Sequence, residues 1–183
     1  MADGTLKVGT ITTSSGSGTI TIGQSGETVS FPTGVNLSGN GITNTPAFLA
    51  TLTSLQSISQ NVWTKIEFNT KEFDTDNAFD NSTNYRFTVP TGKGGKYFFS
   101  FVVTMNNQYT RVITRLYKNG SVYFRGSTVD NDAGTMATPF LIDLDAGDYI
   151  EAYVNQNYVG GQSISGSSSI NQSYFNGFKL LGV

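Results

Sequence analysis

Cysteine and histidine are both absent from the 183 residues. Without them there is no disulfide framework, no thiolate zinc site, no cysteine nucleophile, no histidine-based triad and no imidazole metal ligand. Charge is scarce too, with 11 Lys+Arg against 13 Asp+Glu and a net charge of −2. That balance argues against a broad electrostatic grip on nucleic acid, so no nucleic-acid partner is expected. No window approaches 18 consecutive apolar residues, so no membrane partner is expected either. The opening Met1-Ala2-Asp3-Gly4 shows no basic segment followed by an apolar run, which points to synthesis in a cytoplasm. These absences disfavour an enzyme, and no catalytic or cofactor-binding residue is assigned.

What is present is β-forming material. Glycine (21), phenylalanine (13) and tyrosine (9) are abundant. Composition changes once, near residue 45. Before Lys65 only Asp3, Lys7 and Glu27 carry charge, and residues 1–41 hold nine glycines among Thr, Ser and apolar pairs spaced by two. Those pairs are Leu6/Val8, Ile20/Ile22, Val29/Phe31 and Val35/Leu37, the spacing of short strands with one apolar face. Such a ribbon buries too little surface to offset ordering some forty glycine-rich residues, at about 1–2 kcal/mol each. Residues 1–45 therefore read as a β-rich anchoring or trimerisation arm whose order comes from a partner. Its anchoring residues are Leu6, Val8, Ile20, Ile22, Val29 and Phe31.

Residues 46–183 read as the head. The segment 96–105 is the strongest strand: Tyr97, Phe99, Phe101, Val103 and Met105 form one apolar face, while Phe98 and Val102 add apolar side chains to the other. Further strands are expected at 111–117, 121–126, 136–144, 149–155 and 172–181. Asn119-Gly120 marks a hairpin turn, because both residues tolerate positive φ. Residues 47–60 lack a helical stripe and read as strand, then loop. Many short strands with regular turns indicate a sandwich or jelly roll.

The motifs Phe87-x-Val89-Pro90, Gly95-x-Tyr97-x-Phe99-x-Phe101, Leu116-x-Lys118-Asn119-Gly120, Leu144-x-x-Gly147-Asp148-x-Ile150 and Ser173-Tyr174-Phe175-x-Gly177-Phe178 follow in order. Together they resemble the globular head of complement subcomponent q, over roughly residues 46–183. The resemblance implies an all-β, ten-stranded jelly-roll sandwich of the complement-q and tumour-necrosis-factor superfamily, assembling as a homotrimer. Phe87, Val89, Tyr97, Phe99, Phe101, Phe140, Ile142 and Leu144 are then expected in the core. Phe98, Val102, Tyr174, Phe175 and Phe178 are left for the trimer interface.

A collagen-like stalk is missing from the arm, whose glycines keep no period of three. Thr5-Leu6-Lys7-Val8 and Val29-x-Phe31-Pro32-x-Gly34-Val35 instead look like N-terminal segments of tailed-phage fibre and head-decoration proteins. Together the resemblances imply a non-enzymatic structural protein on a virion surface, made in the host cytoplasm. Capsid decoration, as a cement protein with a projecting head, is favoured because 183 residues leave little room for a shaft. The alternatives are a short tail or head fibre whose head binds a host receptor, and a soluble carbohydrate-binding module. The expected partners are phage capsid or tail proteins, reached through the arm, and a host surface glycan or receptor.

Two clusters are weighed as sites. Asp74, Asp76 and Asp80 have the close spacing of a calcium loop. Ala78 stands where a third ligand belongs, however, and neither the turn glycine nor the closing glutamate is present, so a solvated acidic loop is favoured. Arg111, Arg115 and Arg125, with Tyr117 and Tyr123, fall on neighbouring strands as a candidate ligand surface for sugars, phosphates or a protein. Cross-strand pairing of the arginines with acids is the competing expectation.

Overall fold

The computed structural model describes residues 9–13, 18–35, 44–106, 111–130 and 134–181. Leu6 and Val8 lie outside the described residues. The chain divides into two units, Met1–Leu37 and Ser38–Val183, taken here one at a time.

In the first unit, the described residues contain two turns and no strand. The Val35 amide donates to the Pro32 carbonyl (3.2 Å), and the Glu27 amide to that of Gln24 (3.0 Å). Ile20, Ile22, Val29 and Phe31 are all exposed. The expected strand pairs at Ile20/Ile22 and Val29/Phe31 are thus not formed within one chain. These two pairs show their apolar side chains to solvent, with no second layer among the described residues to bury them.

The second unit is all β, and the described residues include no helix. Its strands are β1 (Ala47–Thr51), β2 (Gln56–Ile58), β3 (Thr64–Lys65), β4 (Thr70–Asp74), β5 (Phe79–Asp80), β6 (Arg86–Thr88) and β7 (Gly95–Thr104), then β8 (Arg111–Lys118), β9 (Ser121–Asp130), β10 (Thr135–Leu144), β11 (Tyr149–Gln156), β12 (Gln162–Ile164) and β13 (Tyr174–Lys179). Thirteen strands replace the expected ten, several of them only two or three residues long. The first sheet runs β10-β7-β13-β1-β4. The second runs β5-β6-β11-β8-β9, with β3 also on β11, and β12-β2 forms a separate ribbon. The named strand pairs are antiparallel. This is the jelly roll expected from the sequence.

The core lies between the two large sheets and is aromatic. Tyr97, Phe99, Phe101 and Val103 of β7 all point into it. Phe87, Val89, Phe140, Ile142 and Leu144 join them, as expected. The Phe99 ring meets those of Phe48, Phe87, Tyr97, Phe140 and Phe175, with centroids 5.2–6.1 Å apart. Each such contact adds roughly 0.5–1.5 kcal/mol beyond its buried area. Gly177 of β13 pairs with Phe99 across the sheet. A Cβ there would penetrate the Phe99 ring, so the missing side chain is what lets the ring lie flat.

Phe175 corrects the expectation for the trimer interface. It alternates with Tyr174 along β13, which puts it on the inner face, fully buried against Phe48, Phe79 and Phe101. It is a core residue with no surface left for another subunit.

Gly177→Ala is expected to lower stability by about 1–3 kcal/mol through overpacking against Phe99. Urea unfolding checks it: the midpoint should fall while the slope holds, and an unchanged midpoint would mean the ring has room to move.

Candidate functional site: the two outer faces of the sandwich

Strand alternation that sends one set of residues into the core sends the other outward. On the first sheet the outward set carries large apolar residues among polar ones such as Ser100 and Asn176. Phe98 of β7 stands between Leu141 of β10 and Phe178 of β13, and Phe178 in turn faces Ala47 of β1. Two residues along, Ser100 stands between Pro139 and Asn176, and four residues along Val102 stands between Ala137 and Tyr174. Leu49 and Phe73 pair across β1 and β4. The Phe98 and Phe178 rings touch at 5.5 Å between centroids. Leu141 is 68% exposed, Phe73 50% and Phe178 36%, so the face is greasy and uncovered in the single chain. Of the five residues expected at an interface, Phe98, Tyr174 and Phe178 stand on this face with surface left to cover, whereas Val102, also turned outward, is already buried within its own chain.

The second sheet presents a different face, built from cations laid on rings. The Arg115 guanidinium lies 3.9 Å from the centroid of Trp63, and that of Arg86 lies 3.9 Å from Tyr149. The Tyr117 and Tyr153 rings pack at 4.0 Å, and Lys65 reaches Tyr153 at 5.9 Å. Lys65 Nζ also donates to Glu151 Oε1 (2.6 Å) and to the Asn84 carbonyl (3.1 Å), which neutralises a buried carboxylate. Burial, with the Glu151 carboxylate behind it, raises the Tyr153 hydroxyl above the usual tyrosine range.

The arginines and tyrosines singled out from sequence divide among three roles. Arg111 pairs with Asp130 directly across the hairpin (3.7 Å), an exposed ion pair of small value. Arg115 and Arg125 stand opposite each other on β8 and β9. Tyr117 is held by Tyr153, and Tyr123 lies out by Lys118 (6.0 Å). Trp63, Tyr153, Arg86 and Tyr149 escaped the sequence reading. They sit on or beside β3, β6 and β11, and only pairing across the sheet brings them to Arg115 and Tyr117.

The acidic trio does not form a metal site. Asp74 accepts from the amides of Ala78 (2.9 Å) and Phe79 (3.0 Å) and from Lys71 Nζ (3.2 Å). Asp76 takes the Thr75 hydroxyl (2.7 Å) and pairs with Lys93 (3.7 Å). Asp80 accepts from the Ser82, Thr83 and Asn84 amides, and these bonds, led by Ser82, hold its carboxyl far below the usual range. Asp74 and Asp80 each close their own turn and Asp76 is engaged by Thr75 and Lys93, which leaves the three few lone pairs for an ion. Among the described residues no group of three or more acidic residues converges on a metal position.

Asp148 is the fourth such anchor. It joins the β8–β9 hairpin, where Asn119 (φ 52°) and Gly120 (φ 77°) make the turn, to the turn before β11. Lys118 Nζ (2.8 Å), Asn119 Nδ2 (2.7 Å) and the Asp145 amide (2.9 Å) all reach its carboxylate. These bonds, that to Lys118 first, pull its pKa down from 3.8 to about 2. The depressed value means stability fully present above pH 4 and lost as the pH falls toward 2. The melting-temperature gap between the native protein and Asp148→Asn should therefore be widest near pH 7 and close between pH 4 and 2. A gap that does not change with pH would show that the charge contributes nothing.

The jelly-roll fold of the second unit is matched in known proteins. The family model of the C1q domain matches residues 47–180. The globular domain of zebrafish complement 1qA protein superimposes with a TM-score of 0.52 at 18% identity, covering 74% of this chain and 97% of that one. Murine APRIL gives 0.55 at 13% identity, with 73% and 98% covered. Eiger TNF from S. frugiperda gives 0.52 at 11%, with 75% and 93% covered. Among curated proteins no sequence matches. From Ala47 to Leu180, then, this chain belongs to the C1q domain family.

Proposed function

We propose that the chain is a non-enzymatic homotrimeric protein on the surface of a bacteriophage particle, most simply a capsid decoration or cement protein. The apolar outer face of the first sheet carries this reading. Domains of the C1q and tumour-necrosis-factor group form homotrimers, and Phe98, Tyr174, Phe178 and Leu141 are the kind of surface a threefold neighbour covers. A contiguous apolar face left in water favours association. The arm supports the virion reading. Its motifs resemble phage fibre and decoration segments, and the side chains of Ile20, Ile22, Val29 and Phe31 are free to bury against a partner. In this reading residues 1–45 anchor, residues 46–183 project, and the protein is made in the host cytoplasm and carried on the virion.

The alternative is a short tail or head fibre, or a soluble carbohydrate-binding module, and the aromatic and cationic face of the second sheet favours a ligand-facing role for the head. Copy number separates the attachments: hundreds per particle mean capsid, and a few trimers mean tail or vertex.

Phe98→Asp is expected to give a folded monomer. Phe98 is on the outer face, so the single chain tolerates the charge, whereas an unpaired buried charge in the trimer costs roughly 3–5 kcal/mol. Light scattering reads the outcome, and a trimeric variant would put the interface elsewhere.

Deleting residues 1–45 should leave a folded, trimeric head that no longer joins the particle. A truncated protein that occupies particles normally would assign attachment to the head.

A further inference from the structure

The Arg115–Arg125 pair is unexpected on energetic grounds. Like charges directly opposite across a strand pair destabilise a sheet. Neither arginine has a carboxylate partner among the described residues, where the ion pairs involve Lys65, Lys71, Lys93, Arg111 and Lys118. Glu151, the buried acid on this face, is already neutralised by Lys65. The Arg115 Nε is buried and has no hydrogen-bond partner among the described residues, an unpaired donor that costs free energy. Its guanidinium plane is fixed by stacking on Trp63. Beside it the Tyr117 and Tyr153 rings hold each other in place. Rigid rings and two cations lacking an anion thus lie together on one face.

We infer that the outer face of the second sheet binds an acidic glycan, with the oxyanion of the sugar between Arg115 and Arg125 and a pyranose ring against the Trp63–Tyr153 aromatic surface. Guanidinium groups pair with carboxylate, sulfate and phosphate oxygens through forked hydrogen bonds. A sugar ring offers the flat C–H face that fixed aromatic rings accept, and it needs no rearrangement of the strands. The anion removes the arginine repulsion, so binding and sheet stability are coupled in the same direction. This deepens the ligand-facing role of the head and rests on it in one respect: the second sheet stays open when the first is covered.

Calorimetry on the full chain tests it with four probes: polygalacturonate, its methyl-esterified form, dextran sulfate and dextran. Polyglutamate serves as a polyanion without sugar rings. The expected result is binding of polygalacturonate or dextran sulfate, with the uncharged counterpart and polyglutamate at least about tenfold weaker. The two acidic probes separate carboxylate from sulfate recognition. Arg125→Gln should lose about tenfold in affinity. Its melting temperature without ligand should stay level or rise, since the variant relieves the repulsion, which a merely structural arginine would not do. Silence toward both acidic glycans, equal binding of polyglutamate, or unchanged affinity in Arg125→Gln would each overturn the inference. Light scattering on the same samples keeps the trimer separate: a trimer that binds no acidic glycan overturns this inference alone.

Discussion

Phe99 under Gly177 is the contact on which the sandwich depends. One ring touches five others, drawn from β1, β6, β7, β10 and β13. It therefore ties both large sheets to a single point. The ring has space only because the residue paired with it has no side chain. Close-packed interiors transmit any change of volume to their neighbours, so this one glycine sets how near β13 can lie to β7. The outer face follows from it. With Phe99 and Phe175 turned in, strand alternation leaves Phe98, Tyr174 and Phe178 no direction but out.

The two outer faces then diverge in chemistry. On the first sheet Leu141, Phe73 and Phe178 stand open to water in a single chain, with Phe98 beside them. On the second, a cation or a neighbouring ring lies against Trp63, Tyr117, Tyr149 and Tyr153 and holds each in place. A stacked guanidinium keeps its hydrogen-bonding edge free while its plane is spent on the aromatic, so such a face stays soluble yet able to grip an anion. An apolar face has no such compromise and is stabilised by being covered. The same fold thus offers one surface suited to a further copy and one suited to a polar ligand.

The acidic residues have a third job. Asp74, Asp80 and Asp148 each gather backbone amides or a lysine within a few residues of a turn. In a chain with so few charges, carboxylates are used where loop amides would otherwise lack partners. Close spacing that looks like a calcium loop arises here because successive turns each need an acceptor, and the carboxylates diverge as the chain reverses.

The local pattern of residues 46–183 was enough to establish the long strands β7 to β11 and β13, the Asn119-Gly120 hairpin and most of the core, but not the short strands β3 to β6 and β12. Period-two alternation and turn chemistry are properties of neighbours in the chain, and the complement-q motifs record them. Alternation also places Phe98 and Phe178 together on one face. What it could not determine is which face of β13 looks inward: Tyr174, Phe175 and Phe178 are equally aromatic, and only the pairing of β13 with β7 buries Phe175 and frees its neighbours. Nor could it foresee Trp63, which reaches Arg115 through the two-residue strand β3 on β11, too short to leave a periodic signal. In the arm the pattern is that of strands, yet the described residues there form none, because a strand needs a second layer and that layer is not encoded in those residues. Local periodicity is written in the sequence; the partner of each face is decided by long-range packing.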